Sequence, residues 1–359
     1  MFKKISEGDI VSYNDEMISA AGSRIAVLPD GKLACTFNIN VGTGKNGHKT
    51  VICYSEDGEK WSEPKPALPY LYEKKAHFTS IRNTLDGRIC IGGMLYPNYD
   101  PNQNWWSNEK CAIIENGLVI ALSDDGYDFS EYYEVPLPFY GACENPGGAF
   151  VDKDGAMYIL YSPYRTVEDK EPVDVNRLIA VKSTDNGKSW EPIVLGAVDG
   201  KCQYGEAWLV RLSDEIHMIS AWQTATTIDA DKYFMSYDGA NTFEGPLNLP
   251  FNGQSTALEA IGDGKVLVIY NLRNVDDAGV YMALAKPDKN GFNLIANEPV
   301  WLAKNKTQND TSGEFDSWTD FAFGEPHVKL LPDGTLLATL WYVADGKKGI
   351  RYVRLAMEE

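Results

Sequence analysis

The sequence predicts an all-β protein of the propeller type, because a strand–turn–strand unit recurs six times along its 359 residues. Each unit is an apolar run, a tight turn at an aspartate and a second apolar run, as in RIAVLPDGKLACTF. Asp-Gly between apolar β-formers is a strong hairpin signal, since glycine supplies the positive φ that such turns need. Units separated by about 50 to 70 residues are typical of propellers. The turn aspartates are Asp30, Asp86, Asp154, Asp214, Asp263 and Asp333.

A second repeated unit follows most of these hairpins. Its fullest copy is STDNGKSW, from Ser183 to Trp190, and shorter copies read SEDGEKW, SDDGYDF, SYDGANTF and KPDKNGF. Aspartate can accept backbone N–H groups within its own turn, and glycine can take the left-handed conformation. The closing aromatic residue can then pack beside the hairpin. These octets are therefore predicted to stabilise the fold and to lie away from any chemistry.

The SxDxGxSW pattern resembles the Asp-box, or BNR repeat, of the sialidase (neuraminidase) superfamily. The resemblance spans the whole chain, 1–359, and implies a single six-bladed β-propeller with four antiparallel strands per blade. After the sixth hairpin only one clear strand, GIRYVRLA, remains. A strand near Asp9 to Tyr13 is therefore expected to complete the last blade. The alternative, a β-sandwich, does not need so regular a repeat.

Composition limits the possible partners. The net charge of −18 disfavours nucleic acid and anionic membranes, because both need a basic protein surface. The N-terminal stretch MFKKISEGDIVSYN has no apolar run of the kind found in a signal peptide or membrane anchor. Six scattered cysteines and four dispersed histidines favour reduced thiols in a cytoplasmic protein, with no metal and no cofactor.

Three glutamates mark the candidate site. In a propeller, the rim opposite the Asp-Gly turns collects the starts of the first strands, and Glu144, Glu206 and Glu325 all fall there. Glycoside hydrolysis needs one carboxyl group as acid and another as nucleophile or base. Burial and like-charge repulsion can raise the pKa of one such group enough for the acid role. The alternative is that each glutamate binds backbone amides or an arginine and closes the central channel.

Arginines on the same rim are candidates to bind a substrate carboxylate. Arg24 opens SRIAV, which resembles the Arg-Ile-Pro segment of sialidases with alanine in place of proline. The resemblance makes Arg24 the first member of an arginine triad, with Arg165 and Arg273 as candidates for the rest. A guanidinium suits this role because it forms two parallel hydrogen bonds to a carboxylate. The alternative for Arg24 is a structural ion pair.

The sequence also departs from the sialidase pattern. Glu325 stands where the tyrosine nucleophile is expected, and the loop NINVGTGKNGHKT lacks the family's acidic aspartate. Both departures argue against sialidase activity itself. Asp320, in the loop before the sixth unit, is a candidate for the missing acid. The exo-acting arabinanases of glycoside hydrolase family 93 are similar in position, since they use two glutamates from neighbouring blades, as Glu144 and Glu206 would be.

Other candidates for binding sugar lie at strand ends or in a long loop. Trp105 and Trp106 lie in the loop NYDPNQNWWSNEK, where exposed indoles could stack on sugar rings. They could instead pack against the next blade. The further candidates are His77, Trp222, Gln223, His327 and Tyr342. The sequence thus predicts an exo-glycosidase acting on an oligosaccharide, with a non-catalytic glycan-binding propeller or a uronate-directed lyase as alternatives.

Overall fold

The chain folds almost entirely into β-strands. The structure, a computed structural model, describes residues 1–14, 18–40, 45–107, 109–195, 204–223, 230–273, 275–307 and 321–358. Within these ranges the one helix is α1 (Pro69–Tyr72), and no helix has the length and hydropathy needed to cross a membrane.

Thirteen short and long strands occupy the first 135 residues. They are β1 (Phe2–Tyr13), β2 (Ser19–Val27), β3 (Leu33–Asn40), β4 (Lys45–Asn46), β5 (Lys49–Ser55), β6 (Lys65–Pro66), β7 (His77–Asn83), β8 (Ile89–Leu95), β9 (Asp100–Asn104), β10 (Trp106–Ser107), β11 (Ala112–Ile113), β12 (Gly117–Ser123) and β13 (Tyr132–Val135).

The remaining strands continue in the same manner to the C-terminus. They are β14 (Ala142–Glu144), β15 (Ala149–Val151), β16 (Met157–Thr166), β17 (Leu178–Ser183), β18 (Glu191–Leu195), β19 (Tyr204–Arg211), β20 (His217–Gln223), β21 (Lys232–Ser236), β22 (Glu244–Asn248), β23 (Gln254–Gly262), β24 (Lys265–Leu272), β25 (Gly279–Ala285), β26 (Leu294–Leu302), β27 (Phe323–Leu330), β28 (Leu336–Ala344) and β29 (Lys347–Met357).

Five sheets are four-stranded antiparallel blades, which we number by the repeat that forms them. They are blade 1 (β2, β3, β5, β6), blade 2 (β7, β8, β12, β13), blade 4 (β19 to β22), blade 5 (β23 to β26) and blade 6 (β27, β28, β29, β1). In blade 6 the N-terminal strand β1 pairs with β29 as the outer strand. A separate two-stranded sheet joins β4 and β9.

The third repeat departs from the expected six equal blades. It forms a seven-stranded sheet, here called sheet 3, so the described chain has five four-stranded blades rather than six. Its first strand is split into β14 and β15 by Pro146, Gly147 and Gly148, of which Gly148 has a φ of +71°. Proline has no N–H to donate to a neighbouring strand, and a left-handed residue ends the extended run. β10 and β11 extend the same sheet, with β11 parallel to β16.

The inner strands of neighbouring repeats contact one another around a common axis, and in the third repeat the second strand, β16, makes the contact with β19. β2 contacts β27 and β7, β7 contacts β15, β16 contacts β19, and β23 contacts both β19 and β27. The apolar core lies between neighbouring sheets, where Val268 of blade 5 and Val328 of blade 6 are fully buried in one cluster. This closed arrangement of inner strands makes the all-β fold a propeller.

The Ser-Asp-Gly octets form tight turns between the third and fourth strands. After β17, the Asp185 carboxylate accepts the backbone N–H groups of Lys188 and Ser189 at 3.1 and 2.9 Å. The Trp190 indole N–H donates to the Gly187 carbonyl at 3.2 Å. In blades 1, 2 and 4, the carboxylates of Asp57, Asp125 and Asp238 likewise accept backbone N–H groups of their own turns. These turns join strand ends that lie far from the axial cavity described below.

Four inner strands carry a β-bulge near their first residues. The register shifts fall between Ala21 and Arg24, Gly205 and Trp208, Gln254 and Thr256, and Gly324 and His327. A bulge turns a side chain away from its regular direction, and non-glycine residues with positive φ often occur at functional sites. Each of these four bulges contains one residue with positive φ: Gly22 (65°), Glu206 (51°), Ser255 (59°) and Glu325 (44°). The side chains of two of the three predicted glutamates, Glu206 and Glu325, are therefore oriented by a bulge.

Candidate active site

A cavity of about 420 Å³ lies at the axis, where the inner strands begin. Glu144, Glu206 and Glu325 line one part of it, beside Arg273. Phe78, Trp105 and Trp106 line another part. The structure thus brings together the three glutamates that the sequence predicts on one rim.

A hydrogen bond links Glu206 to Glu144, while Glu325 has separate hydrogen-bond partners. The backbone N–H of Glu206 donates to Oε2 of Glu144 at 2.9 Å. The Ser255 hydroxyl donates to Oε2 of Glu206. Glu325 is hydrogen-bonded by the backbone of Gly22 and by the Trp341 side chain. Every carboxyl group therefore has at least one fixed partner, which holds the three in a defined arrangement.

Burial raises the pKa of each of these carboxyl groups, and repulsion from neighbouring glutamates adds to the effect at Glu206 and Glu144. Burial and the charge of Glu325 raise the pKa of Glu206 to about 7. Burial and the charge of Glu206 hold the pKa of Glu144 well above its ordinary value. Burial raises the pKa of Glu325 too, but two arginines and two hydrogen bonds oppose the rise. Glu325 is thus the best placed of the three to hold a negative charge, while Glu206 can carry a proton near neutral pH.

Arg24 lies beneath the cavity and binds backbone. Its Nη1 donates to the carbonyls of Ser23 and Glu325 at 2.8 and 3.1 Å, and its Nη2 to the carbonyl of Pro146 at 3.3 Å. The side chain is only 3% exposed, stands 5.3 Å from the Trp208 ring and does not line the cavity. Its guanidinium therefore anchors the bulge at Glu325 and the break in sheet 3, which differs from the clamp expected from the sequence.

Arg273 reaches the cavity wall but is already bonded there. Its Nε and Nη2 donate to the Phe323 carbonyl at 3.0 and 2.6 Å, and its Nη1 donates to Oε1 of Gln254. Its guanidinium stands 3.9 Å from the centre of the Phe321 ring. Burial lowers the pKa of Arg273 to about 10, although Glu206 and Glu325 oppose this. The group stays charged at neutral pH and stabilises the carboxylates.

Aromatic side chains line the same cavity as the carboxyl groups. The rings of Trp105 and Trp106 meet edge to face at 6.3 Å, and Trp106 meets Tyr164 at 5.9 Å. Trp222 also lines the cavity. Trp106 belongs to β10, so the extension of sheet 3 carries it to the axis. Such surfaces suit the apolar faces of a ring-shaped ligand.

Three buried predicted residues lie outside the cavity lining. His77 Nδ1 stands 3.1 Å from the Lys75 carbonyl oxygen, and burial lowers its pKa to about 4. Nδ1 of His327 accepts the Ile25 N–H at 3.3 Å. Gln223 is fully buried in β20. Burial within or between strands explains why these polar residues do not reach the site.

Of three more predicted residues, two lie outside the axial cavity lining and one lies outside the described residues. The Tyr342 hydroxyl donates to Asp9 at 2.9 Å, in a separate cavity of about 620 Å³ between blades 5 and 6. Arg165 is exposed at the end of β16 and does not line the axial cavity. Asp320 lies outside the described residues.

The sequence analysis missed several residues of the site. Ser255 and Gln254 bond to Glu206 and Arg273, and Tyr164 lines the cavity. The signal for the first two was their position at the start of a first strand, the same position that Glu206 holds. Within the described residues, no three His, Cys, Asp or Glu side chains are grouped as a metal site would require.

Comparisons with known proteins support the fold. No family model and no curated protein matches the chain. A protein of unknown function from Dyadobacter fermentans DSM 18053 is similar in structure, with 16% identity, a TM-score of 0.77 and 99% of each chain covered. The NanB sialidase from Streptococcus pneumoniae is 13% identical with a TM-score of 0.62, over 99% of this chain and 70% of that one. The phage phi92 endosialidase is 13% identical with a TM-score of 0.64, over 100% and 69%. At these identities the similarity establishes a sialidase-like propeller fold.

Proposed function

We propose that this protein is a glycoside hydrolase whose acid and base are carboxyl groups of the axial cavity. The observation that carries the proposal is that Glu144, Glu206 and Glu325 line one cavity together with aromatic residues, and that burial raises the pKa of all three carboxyl groups. Carboxyl groups with different proton affinities, set by their surroundings, are what acid and base roles require.

Glu206 is the proposed acid. Its carboxyl group, with a pKa of about 7, gives its proton to the glycosidic oxygen as the C–O bond breaks and the bonding electrons move to that oxygen. The Ser255 hydroxyl stabilises the carboxylate left behind. Charged Arg24 and Arg273 stabilise it further.

Glu325 is the proposed carboxylate that acts on the sugar. The positive charge that develops on the ring is stabilised by the Glu325 carboxylate, which either bonds to the anomeric carbon or takes a proton from the water that does so. Glu144 fixes the backbone of Glu206 through its hydrogen bond, and burial holds the pKa of its own carboxyl group well above the ordinary value. The two outcomes differ in the stereochemistry of the product.

Sheet 3 completes this site as a proposed sixth blade. It supplies Glu144 from β14, Tyr164 from β16 and Trp106 from β10. Its extra strands thus add Trp106 and Ile113 to the cavity that the carboxyl groups line.

Turnover of a panel of aryl glycosides tests the proposal. The panel contains arabinofuranosides, rhamnosides, hexosides, uronides and sialosides, and each is given to the wild type, to Glu206→Gln and to Glu259→Gln. Glu259 lies on the inner strand β23 and pairs with Lys329 at 2.8 Å, outside the cavity lining, so it controls for loss of a half-buried carboxylate. We expect one class to be cleaved by the wild type and the control but not by Glu206→Gln. Activity retained in Glu206→Gln would remove Glu206 from the mechanism.

A non-catalytic glycan-binding propeller is the second candidate. The observation that favours it is that each glutamate already has a protein hydrogen-bond partner, as expected of carboxylates that only close a channel. It predicts no turnover across the panel, together with binding on a glycan array.

A further inference from the structure

The charged groups on the cavity lining are mainly carboxyl groups. Glu144, Glu206 and Glu325 stand against two cations, Arg273 and Lys348. Lys348 already interacts with another group of the protein. Glu325, the carboxyl group best placed to hold a negative charge, would repel an incoming carboxylate, and Glu206 and Glu144 would add to that repulsion as they ionise.

The structure places one arginine on the cavity lining, so the described arginines do not form the clamp of several guanidinium groups that an acidic sugar needs. Every arginine of the chain lies within the described residues, and among them only Arg273 lines the cavity. All three nitrogens of Arg273 already donate to protein acceptors, and both terminal nitrogens of Arg24 donate to backbone carbonyls. If either guanidinium moved to bind a ligand, buried carbonyl oxygens would lose their donors. The free-energy cost of such an unsatisfied acceptor exceeds the gain from an ordinary hydrogen bond. Outside the described residues the sequence has no arginine and a single lysine, Lys201.

The rest of the lining suits an uncharged ring. Phe78, Met94 and Ile113 add apolar surface beside Trp105 and Trp106. Burial lowers the pKa of His48, which touches the Trp105 ring, to about 3, so its imidazole is neutral above that pH. This side of the cavity therefore offers stacking surface and no positive charge.

We propose that the sugar bound next to the three glutamates is uncharged, so that the site takes neutral glycosides and rejects sialic acids and uronic acids. The proposal rests on the proposed hydrolase function and narrows its substrate class. It also gives Arg24 and Arg273 a positioning role in place of substrate binding.

Matched pairs of substrates test this proposal. A 4-nitrophenyl hexoside and the corresponding hexuronide differ only in a CH₂OH group against a carboxylate, so their kcat/KM ratio reports the tolerance for that charge. Rhamnosides, arabinofuranosides and an aryl sialoside extend the comparison. We expect the neutral member of the best pair to be favoured by at least about 100-fold in kcat/KM, since the charge of Glu325 repels a carboxylate bound beside it.

The outcomes separate this inference from the hydrolase proposal. Cleavage of a uronide or sialoside as fast as the neutral partner, or a new double-bond absorbance from a uronide, overturns the inference while the site remains an enzyme. Absence of all turnover refutes the hydrolase proposal. Calorimetric titration of the wild type with neutral and acidic oligosaccharides then tests whether the site binds only uncharged sugars. Binding of neutral oligosaccharides alone supports the inference, whereas binding of acidic ones, or of none, overturns it.

Discussion

The backbone N–H of Glu206 donates to Oε2 of Glu144 over 2.9 Å, although the two residues are 62 positions apart. This bond joins the first strand of blade 4 to the broken first strand of sheet 3. It forms at a bulge, where the φ of Glu206 is 51°. One backbone distortion therefore both aims the Glu206 side chain into the cavity and fixes the neighbouring carboxyl group. The same bond therefore connects the proposed active site to the packing between these two sheets.

Replacing Glu206 should change how stability depends on pH. Its pKa rises from 4.5 to about 7 on folding, so the stability it contributes is fully present below about pH 4.5 and is lost as the pH rises through about 7. The glutamine of Glu206→Gln cannot ionise. The melting temperature of this variant should therefore fall less than that of the wild type between about pH 4.5 and 7, and above pH 7 it should be the higher of the two. Melting curves at a series of pH values measure this. The melting temperature of the control Glu259→Gln should depend on pH as that of the wild type does. The same dependence in Glu206→Gln would contradict a raised pKa of Glu206.

Removing the Ser255 hydroxyl should shift the pH dependence of activity. The hydroxyl donates to the Glu206 carboxylate and lowers its pKa, so Ser255→Ala should raise that pKa. An acid stays protonated to higher pH when its pKa rises, so the alkaline limb of kcat/KM should move upward. Thr256→Val, which removes the neighbouring hydroxyl bonded to Ser220 at 2.8 Å, is the control. A limb that stays in place or moves to lower pH would show that this bond does not tune Glu206.

A methyl group at Gly324 should disturb the site through Arg273. A Cβ there would overlap Nη2 of Arg273 and stand 2.8 Å from Nε1 of Trp341. Gly324→Ala should therefore cost about 1–3 kcal/mol of unfolding free energy and lower kcat, because overpacking forces side chains to move. Gly117→Ala, where a Cβ meets nothing within 4 Å, is the matched control. Equal stability and activity in both variants would mean that the position of Arg273 does not matter.

Loss of Asp185 should affect stability without affecting catalysis. Its carboxylate holds the turn after β17, away from the residues that line the axial cavity. Asp185→Ala should lower the denaturant midpoint while kcat and KM stay at wild-type values. The exposed neighbour Thr184→Ala serves as control. A change in KM with Asp185→Ala would indicate that this rim takes part in substrate binding.

Local turn chemistry made much of the fold predictable. Each of the six turn aspartates lies between the first and second strands of its repeat, as Asp30 does between β2 and β3. Such turns are encoded by neighbouring residues, so no tertiary information is needed. The shared position of Glu144, Glu206 and Glu325 at strand starts likewise brought them to one cavity.

Contacts between sheets were not predictable in the same way. The carbonyls that bind Arg24 become available because of a bulge at Glu325 and a break at Pro146, and both depend on packing around the axis. The bond from Ser255 to Glu206 also crosses between blades. The extension of sheet 3 by β10 and β11 arises from a parallel pairing between distant segments. Periodicity within one repeat carries no signal for any of these.

The role of Glu206 as the acid is tested most directly by measuring how the kcat/KM of Glu206→Gln depends on the acidity of the leaving group. A proton donor matters for a poor leaving group such as phenol and far less for dinitrophenol, which departs without a proton. With the glycone found in the panel, Glu206→Gln should lose about 10²–10⁴-fold in kcat/KM for the phenyl glycoside and much less for the dinitrophenyl glycoside. An equal loss for both, or no loss for either, would contradict the assignment of Glu206 as the acid.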